Sequence, residues 1–521
     1  MKGIDRMKLL PTGIENFKTM IDKSAYYVDK TNFIEDVLNE QVVSYTRPRR
    51  FGKTLNMSML YYFFSINEKE NSYLFNGLNI SKNKDTLKYQ NKYPTIFISL
   101  KEMKSLTFDA QISSFSNVIY ELLEKNLEIL SSDQLSDTTK DILNKLHNRL
   151  SSIEDLKISL RVITNALYTY YQKKVIVLID EYDVPLQAAY QNNYYEEMVD
   201  FLRSVFSSAL KTNDALEKGV MTGCLRISKE SIFTGLNNIS SESFGFTELE
   251  VKQLLKDYNL SEKMDEVKEW YDGYRFGNKE IYNPWSTLMY VKNVTQDVSF
   301  KPISFWANTS GNDLVVKYIQ NGDKKLRKEF DLLMSGQSLI KYIKPELTYR
   351  EMDNINNIYS FLLLTGYLKV IKDRGENQYE LVIPNKEVYE IYKQSFMSYF
   401  EDYTTSRKGE LYQELVDGDA KKVNLLLNDY EVVSNRESGN GRFDVCVLPE
   451  NILGTVVLIE CKHSISEDEL IDDAKEGARQ IIEQKYLEEH KYKKYENAVG
   501  YGISFYKKQC YVIKVEYDSK M

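Results

Sequence analysis

Short apolar runs recur through the first half of the chain. "VVSY" (42–45), "PTIFISL" (94–100), the "VIVLI" of "KKVIVLIDEYDVPL" (173–186) and "GVMTGCLRIS" (219–228) each have the length of a strand. The third is almost continuously hydrophobic, as expected of a strand buried on both faces of a parallel sheet. Between these runs lie longer segments whose apolar positions recur at helical spacing. They are "YYVDKTNFIEDVLNE" (26–40), helical over much of its length, "LNMSMLYYFF" (55–64), with a strongly apolar face, "QISSFSNVIYELLEKNLEIL" (111–130) and "DLKISLRVITNALYTYYQ" (155–172). Buried strands alternating with helices predict an α/β sandwich with right-handed crossovers.

From residue 241 the pattern changes. "TELEVKQLLKDY" and "SEKMDEVKEWYDGYRFG" read as helices with turns, broken at Asp272-Gly273 and Phe276-Gly277. The region is mostly helical, with hairpin material in "YLKVIKDRGENQYELVIP" (367–384) and a winged-helix module as one arrangement of its short strands. Strand signals return from residue 405 in "GRFDVCVLP", "GTVVLIECK" and "QCYVIKVEY". The predicted division is 1–240, 241–404 and 405–521, with an α/β domain at each end.

Composition narrows the chemistry. A chain of 521 residues exceeds one ordinary core, so more than one domain is expected. Its formal net charge of -8 gives no global basic field, and any nucleic-acid surface must be a local patch. Cys224, Cys446, Cys461 and Cys510 share no ligand-like spacing, which argues against a disulfide scaffold and a structural zinc site. Three histidines argue against a histidine-rich metal centre. Neither a signal peptide nor an apolar run of membrane-spanning length is visible, so no membrane partner is expected and a reducing cytoplasm is the expected location.

"TRPRRFGKT" (46–54) follows the first strand. A phosphate-binding loop needs converging backbone N–H groups, a lysine for the β/γ phosphates and a hydroxyl for Mg²⁺. Lys53 and Thr54 supply the side chains, Gly52 permits the turn, and the following helix adds its N-terminal N–H groups. The first glycine of the general pattern is replaced by Arg47. Downstream, the buried strand ends at Asp180-Glu181, where α/β folds place ligands. Asp180 suits a Mg²⁺ held through water, and Glu181 suits polarising an attacking water. Thr222 ends the next strand and is placed to sense water or γ-phosphate. Arg226 either approaches the phosphates or a neighbouring subunit, or forms a surface ion pair. Arg49 and Arg50 either contact phosphate or fix the loop against Asp or Glu.

The C-terminal region carries a second constellation. Asp444 lies in one strand candidate, and Glu460 and Lys462 lie in the next. A period of two places Glu460 and Lys462 on one face, and a hairpin brings Asp444 to Glu460. Two carboxylates bind a hard divalent cation such as Mg²⁺, and the lysine can orient water and stabilise phosphate charge. These are the parts needed for phosphodiester hydrolysis. "DDAKEGARQIIEQKYLEE" follows as an amphipathic helix. Its Gln480 points either toward the site, with Tyr486 in support, or into solvent. Glu437 is a loop acid near the metal or a turn residue, Arg442 contacts phosphate or anchors its loop, and His463 falls on the alternate face.

Together "YYVDKT", "RPRRFGKT", "LIDEYDVPL", "LRISKESIFTGLNN", "WYDGYRFG" and "YNPWS" resemble the AAA-ATPase-like family of bacterial proteins, often followed by a PD-(D/E)XK nuclease domain. The resemblance implies a P-loop NTPase domain, a mostly helical middle and a small PD-(D/E)XK nuclease-like α/β domain. It implies ATP at Gly52, Lys53 and Thr54, with Asp180 and Glu181 as the acidic pair; the Arg-rich loop start is usual in the family. "SNRESGNGRFD" resembles the nuclease half. A helical segment that supplies a first acidic residue in related nucleases is not visible before it, and Glu414 is the substitute at hand. The expected protein is an ATPase using ATP and Mg²⁺, coupled to nucleic-acid cleavage or binding, with DNA favoured over RNA and a homo-oligomer compatible with Arg226. The alternatives are a signalling or scaffold ATPase with an inactive nuclease-like domain, and a non-enzymatic interaction protein retaining both folds.

Overall fold

Strands β1 (Val42–Thr46), β2 (Thr95–Ser99), β3 (Val175–Asp180) and β4 (Leu216–Gly223) form a parallel sheet in the order β1-β4-β3-β2. The computed structural model describes residues 7–225, 242–276, 279–306, 324–394, 430–438, 441–449, 455–486, 495, 497–507 and 509–516. The chain divides into one unit of residues 1–309 with 340–388 and another of 310–339 with 389–521.

Every residue of β3 is buried, as its unbroken apolar run predicts. Helices cap cleanly around it: Thr107 accepts from Ala110 N at the start of Phe108–Glu124, and Ser152 with Asp155 forms a capping box for Ile153–Tyr171. The helix Tyr195–Leu210 lies so close on β4 that a Cβ at Gly219 would sit 2.7 Å from Leu210 Cδ2.

Two elements differ from expectation. Of residues 26–40 only Phe33–Leu38 is helical. Asp29 accepts from Thr31 N and Thr31 Oγ1, and from Asn79 N, so local side-chain bonds and a distant loop hold the preceding residues out of the helix. The helix Lys53–Phe64 is buried on most of its surface, not on one face. It runs between the sheet and the N-terminal helix Phe17–Asp22, whose Phe17 N donates to Ser58 Oγ.

The helices Glu248–Asp257, Met264–Tyr271 and Pro284–Gln296 build a second core around Val251, Leu254, Val267, Tyr271, Tyr290 and Val294. Hairpin β5 (Tyr274–Phe276) and β6 (Lys279–Ile281) leaves this core toward the loop that follows β1. There Phe51 meets the rings of Tyr274 and Phe276 at 4.9 and 5.3 Å. Strands β7 (Leu339–Tyr342), β8 (Lys369–Gly375) and β9 (Gln378–Val382) pair in the order β7-β9-β8, and β8–β9 is the hairpin expected in 367–384. Gly366, just before it, packs on Pro48; a Cβ there would be 3.0 Å from the proline ring.

Glu387 is a fully buried carboxyl in this unit. Its Oε1 accepts from Ser286 Oγ, Phe305 N and Trp306 N, and its Oε2 has no hydrogen-bond partner among the described residues. Burial pushes its pKa up to about 7, against those three donors. The folded state therefore favours the protonated acid. That stabilisation is present below its ordinary value of 4.5 and is lost as pH rises through about 7. It amounts to on the order of 3 kcal/mol across the window. Glu387→Gln should remove this part of the pH dependence. Urea unfolding followed by the fluorescence of Trp270, Trp285 and Trp306 should show the wild type losing stability relative to the variant between pH 4.5 and 7.

In the other unit, β10 (Tyr430–Ser438), β11 (Gly441–Pro449), β12 (Thr455–His463), β13 (Asn497–Tyr506) and β14 (Gln509–Glu516) lie in chain order. All neighbours are antiparallel except β12 and β13, and the crossover between those two carries the helix Leu470–Glu483. Small residues let this helix sit on the strand backbones. A Cβ at Gly502 would lie 2.2 Å from Ala474 O and 2.4 Å from Ala478 N, both backbone atoms. Gly502→Ala should thus push the helix off the sheet and destabilise this unit by about 1–3 kcal/mol or more. Hydrogen exchange of β13 amides should accelerate, while the tryptophan-reported transition of the first unit stays in place, because all three tryptophans belong to that unit.

Candidate functional site

The first site is assembled where the parallel strands end. Arg47 N donates to Gly223 O, which extends the β1–β4 ladder into the loop. Arg50 (φ 69°) and Gly52 (φ 78°) adopt left-handed backbone, and Gly52 caps the helix Lys53–Phe64. Arg47 stands where the general motif has glycine and is 1% exposed. Its guanidinium lies over the rings of Phe276 at 4.5 Å and Phe244 at 5.2 Å and donates to Thr46 O. Burial lowers its pKa to about 10, which leaves it cationic at neutral pH. Arg49 donates to Gln187 Oε1 and Arg50 stacks over Trp285 at 4.6 Å.

Lys53 is buried and turned into the loop. Its Nζ donates to Arg47 O at 3.2 Å and Pro48 O at 3.3 Å, and lies 3.3 Å from Glu181 Oε1 and 3.5 Å from Cys224 Sγ. Burial opposes its charge, but Cys224, Glu181, Asp183 and Asp180 together hold its pKa above the ordinary value. Asp180, the last residue of β3, has no exposed surface. Its Oδ2 accepts from Thr54 Oγ1 at 2.8 Å and its Oδ1 from Thr222 Oγ1 at 2.5 Å. Burial, and then the charge of Glu181, push its pKa up to about 6, against those two hydroxyls and Lys53. Glu181 carries a positive φ of 55°, a strained conformation for a residue with a side chain.

The geometry therefore brings Gly52, Lys53, Thr54, Asp180, Glu181 and Thr222 together. Arg49 and Arg50 flank the loop, and Arg226 lies outside the described residues. The sequence reading missed Asp183 and Cys224. Asp183 accepts from Cys224 N and Leu225 N, all at 3.0 Å. Burial pushes the Cys224 thiol up to about 11, so it is neutral in ordinary conditions. The available signal was the second aspartate of "DEYD", three residues after Asp180.

These residues fit a nucleotide with its divalent cation. The helix N-terminus and left-handed Gly52 offer backbone donors, Lys53 offers a cation at the same turn, and Thr54 and Asp180 place hard oxygens side by side.

The second site sits on β11 and β12. Asp444 Oδ2 accepts from Cys461 N at 2.7 Å, and Asp444 N donates to Glu460 Oε2 at 3.4 Å. The carboxylate thus continues the contact between the strands just outside the Val445↔Ile459 end of the β11–β12 register. Burial, then the Asp444 charge, raise the Glu460 pKa, with Lys462 opposing. Lys462 Nζ donates to Gln480 Oε1 and lies 3.8 Å from Glu460 Oε1. Gln480 Nε2 donates to Tyr486 OH at 3.1 Å. Gln480 consequently faces the site, carried there by a helix whose Gly477 rests on Glu460 O. The adjacent carboxylates fit a divalent cation. His463 is exposed. Glu437 and Arg442 pair through their backbones across β10–β11, with side chains outside the described residues, as is all of Glu414.

Residues 11–233 match the family model of predicted AAA-ATPases, and residues 420–515 match that of the PD-(D/E)XK nuclease superfamily. The chain joins an AAA-ATPase-like module to a PD-(D/E)XK nuclease-like one. It is 27% identical over 442 residues to a protein of Azotobacter chroococcum mcd 1 described as an uncharacterized protein in the vnfD 5' region. That match covers 81% of this chain and 77% of the relative. No helix among the described residues is long and apolar enough to cross a membrane.

The chain of bonds from Tyr486 through Gln480 to Lys462 can be measured. Gln480→Ala leaves the buried Tyr486 hydroxyl without this bond, at a cost of about 1–3 kcal/mol. Combined with Tyr486→Phe, it should be non-additive by about 0.5–1.5 kcal/mol in urea denaturation of this unit. Strict additivity would mean that the two side chains do not interact.

Proposed function

We propose that this protein binds and hydrolyses ATP at the first site and uses the second for metal-dependent attack on nucleic acid, with DNA as the favoured substrate. The observation that carries the first half is the buried Asp180 carboxylate receiving the hydroxyls of both Thr54 and Thr222 beside Lys53. In this reading Lys53 exchanges its loop carbonyls for β/γ-phosphate oxygens. Thr54 and Asp180 hold Mg²⁺, which supplies charge neutralisation at the phosphates. Glu181 orients the attacking water and accepts its proton, and Thr222 reports γ-phosphate to the Asp180 cluster. Arg49 and Arg50 add positive charge at the loop, and Arg226 acts on the phosphates or across a homo-oligomer boundary.

At the second site Asp444 and Glu460 hold a divalent cation, and Lys462, fixed by Gln480, orients water toward a phosphodiester. The ATPase module governs access of nucleic acid to this site, in the cytoplasm. The adjacency of Asp444, Glu460 and Lys462 supports cleavage over mere binding.

The test has two arms. Phosphate release from ATP should require Mg²⁺ and stop on chelation. It should fall by about 100-fold or more in Glu181→Gln with nucleotide binding retained, and Lys53→Ala should lose binding as well. Cleavage of single- and double-stranded DNA with Mg²⁺ or Mn²⁺, with and without ATP, should disappear in Asp444→Ala. ATP hydrolysis without any cleavage would instead assign a signalling or scaffold ATPase with an inactive nuclease-like domain.

A further inference from the structure

The two residues after the acidic pair have their own task. The turn that ends β3 reaches across to the exit of β4 at four points. Tyr182 N donates to Thr222 O at 3.0 Å, and Tyr182 OH donates to Leu225 O at 2.7 Å. Asp183 accepts from Cys224 N and from Leu225 N. These bonds bind consecutive residues on either side of Gly223. The fit is tight: a Cβ at Gly223 would lie 2.6 Å from Asp183 Oδ1 and 2.8 Å from the Tyr182 ring.

Asp183 is 2% exposed, and its burial is costly unless the carboxylate is bonded. Burial and the neighbouring Glu181 raise its pKa, with the Leu225 and Cys224 N–H groups and Lys53 opposing. A carboxylate kept there beside the like-charged Glu181 serves another purpose than capping the following helix. Its side chain makes no cap bond to that helix, Val184–Gln191. Its bonds go to β4 instead.

We propose that Asp183 and Tyr182 are positioning residues for hydrolysis: they lock the exit of β4 to the turn bearing Glu181, and so fix Thr222 and Glu181 relative to one another. This rests on the assignment of ATP hydrolysis to the first site. Neither residue needs to touch nucleotide. Losing the clamp frees the strained Glu181 and shifts Thr222 without removing Lys53, Thr54 or the helix N-terminus. Turnover should suffer and binding should not.

The experiment uses the full chain with a fluorescent ATP analogue for binding and phosphate release for turnover. Asp183→Asn keeps the size but replaces one acceptor oxygen with a donor that faces the β4 amides. Its kcat should fall by about 10-fold or more, with the nucleotide Kd within about threefold of wild type. Tyr182→Phe removes the bond to Leu225 O and the longer one from Ser44 Oγ but leaves the Asp183 bonds in place, and should lower kcat by a smaller factor, again with Kd unchanged. Asp183→Glu should not rescue, because Gly223 leaves no room for a longer side chain. Unchanged kcat in both Asp183→Asn and Tyr182→Phe would overturn the inference. So would a loss of Kd in proportion to kcat, accompanied by a lowered thermal midpoint, because a merely structural role gives that pattern. Wild-type protein that binds no ATP analogue, or binds it equally well as Lys53→Ala, would instead overturn the ATP assignment, and this inference would fall with it.

Discussion

A carboxylate with no access to water is expensive, and the first unit is arranged around one. Asp180 ends a fully buried strand, where an uncompensated charge would cost several kcal/mol. Hydroxyls arriving from other elements, with the Lys53 charge nearby, offset that cost. Thr54 comes from the helix after β1, and Thr222 comes from β4. In the observed order β4 lies between β1 and β3, which sets Thr222 directly beside Asp180. Strand order and site chemistry are therefore one constraint seen at two scales.

The second unit answers a similar demand with less material. Glu460 is nearly buried next to Asp444, and relief comes from Lys462 and from the Asp444 amide. Lys462 is itself steadied by Gln480, on a helix that can approach only because Ala474, Gly477 and Ala478 face Gly502. Side-chain size at the helix–strand contact thus decides whether the Lys462 ammonium has one orientation or many.

Much of this was legible along the chain. β3 announced itself by continuous hydrophobicity, Lys53 and Thr54 by a Gly-Lys-Thr set between a strand and an apolar helix, and Asp180 and Glu181 by their place at a strand end. Asp444, Glu460 and Lys462 followed from a period of two and a hairpin. What was not legible is non-local. Helical spacing in 26–40 was overruled by Asp29, whose bonds to Thr31 and Asn79 hold the preceding residues out of the helix. Gln480 carried no sign of its direction until close helix–strand contact fixed its register. Asp183 was hidden because an acid three residues after Asp180 reads as a helix cap, while its amide partners lie just past a strand reached only after two further helices.

Arg47 shows what the exchange of a glycine accomplishes. A glycine at that position would leave the loop many conformations, most of them useless to an anion. The arginine fills the space between Phe244 and Phe276 and thereby ties the loop to residues far along the chain. Its ordering cost falls on the folding of the whole unit, not on the arrival of a ligand. The loop then behaves less like a flexible latch than like a cast fitting, shaped in advance and insensitive to whether anything is held in it.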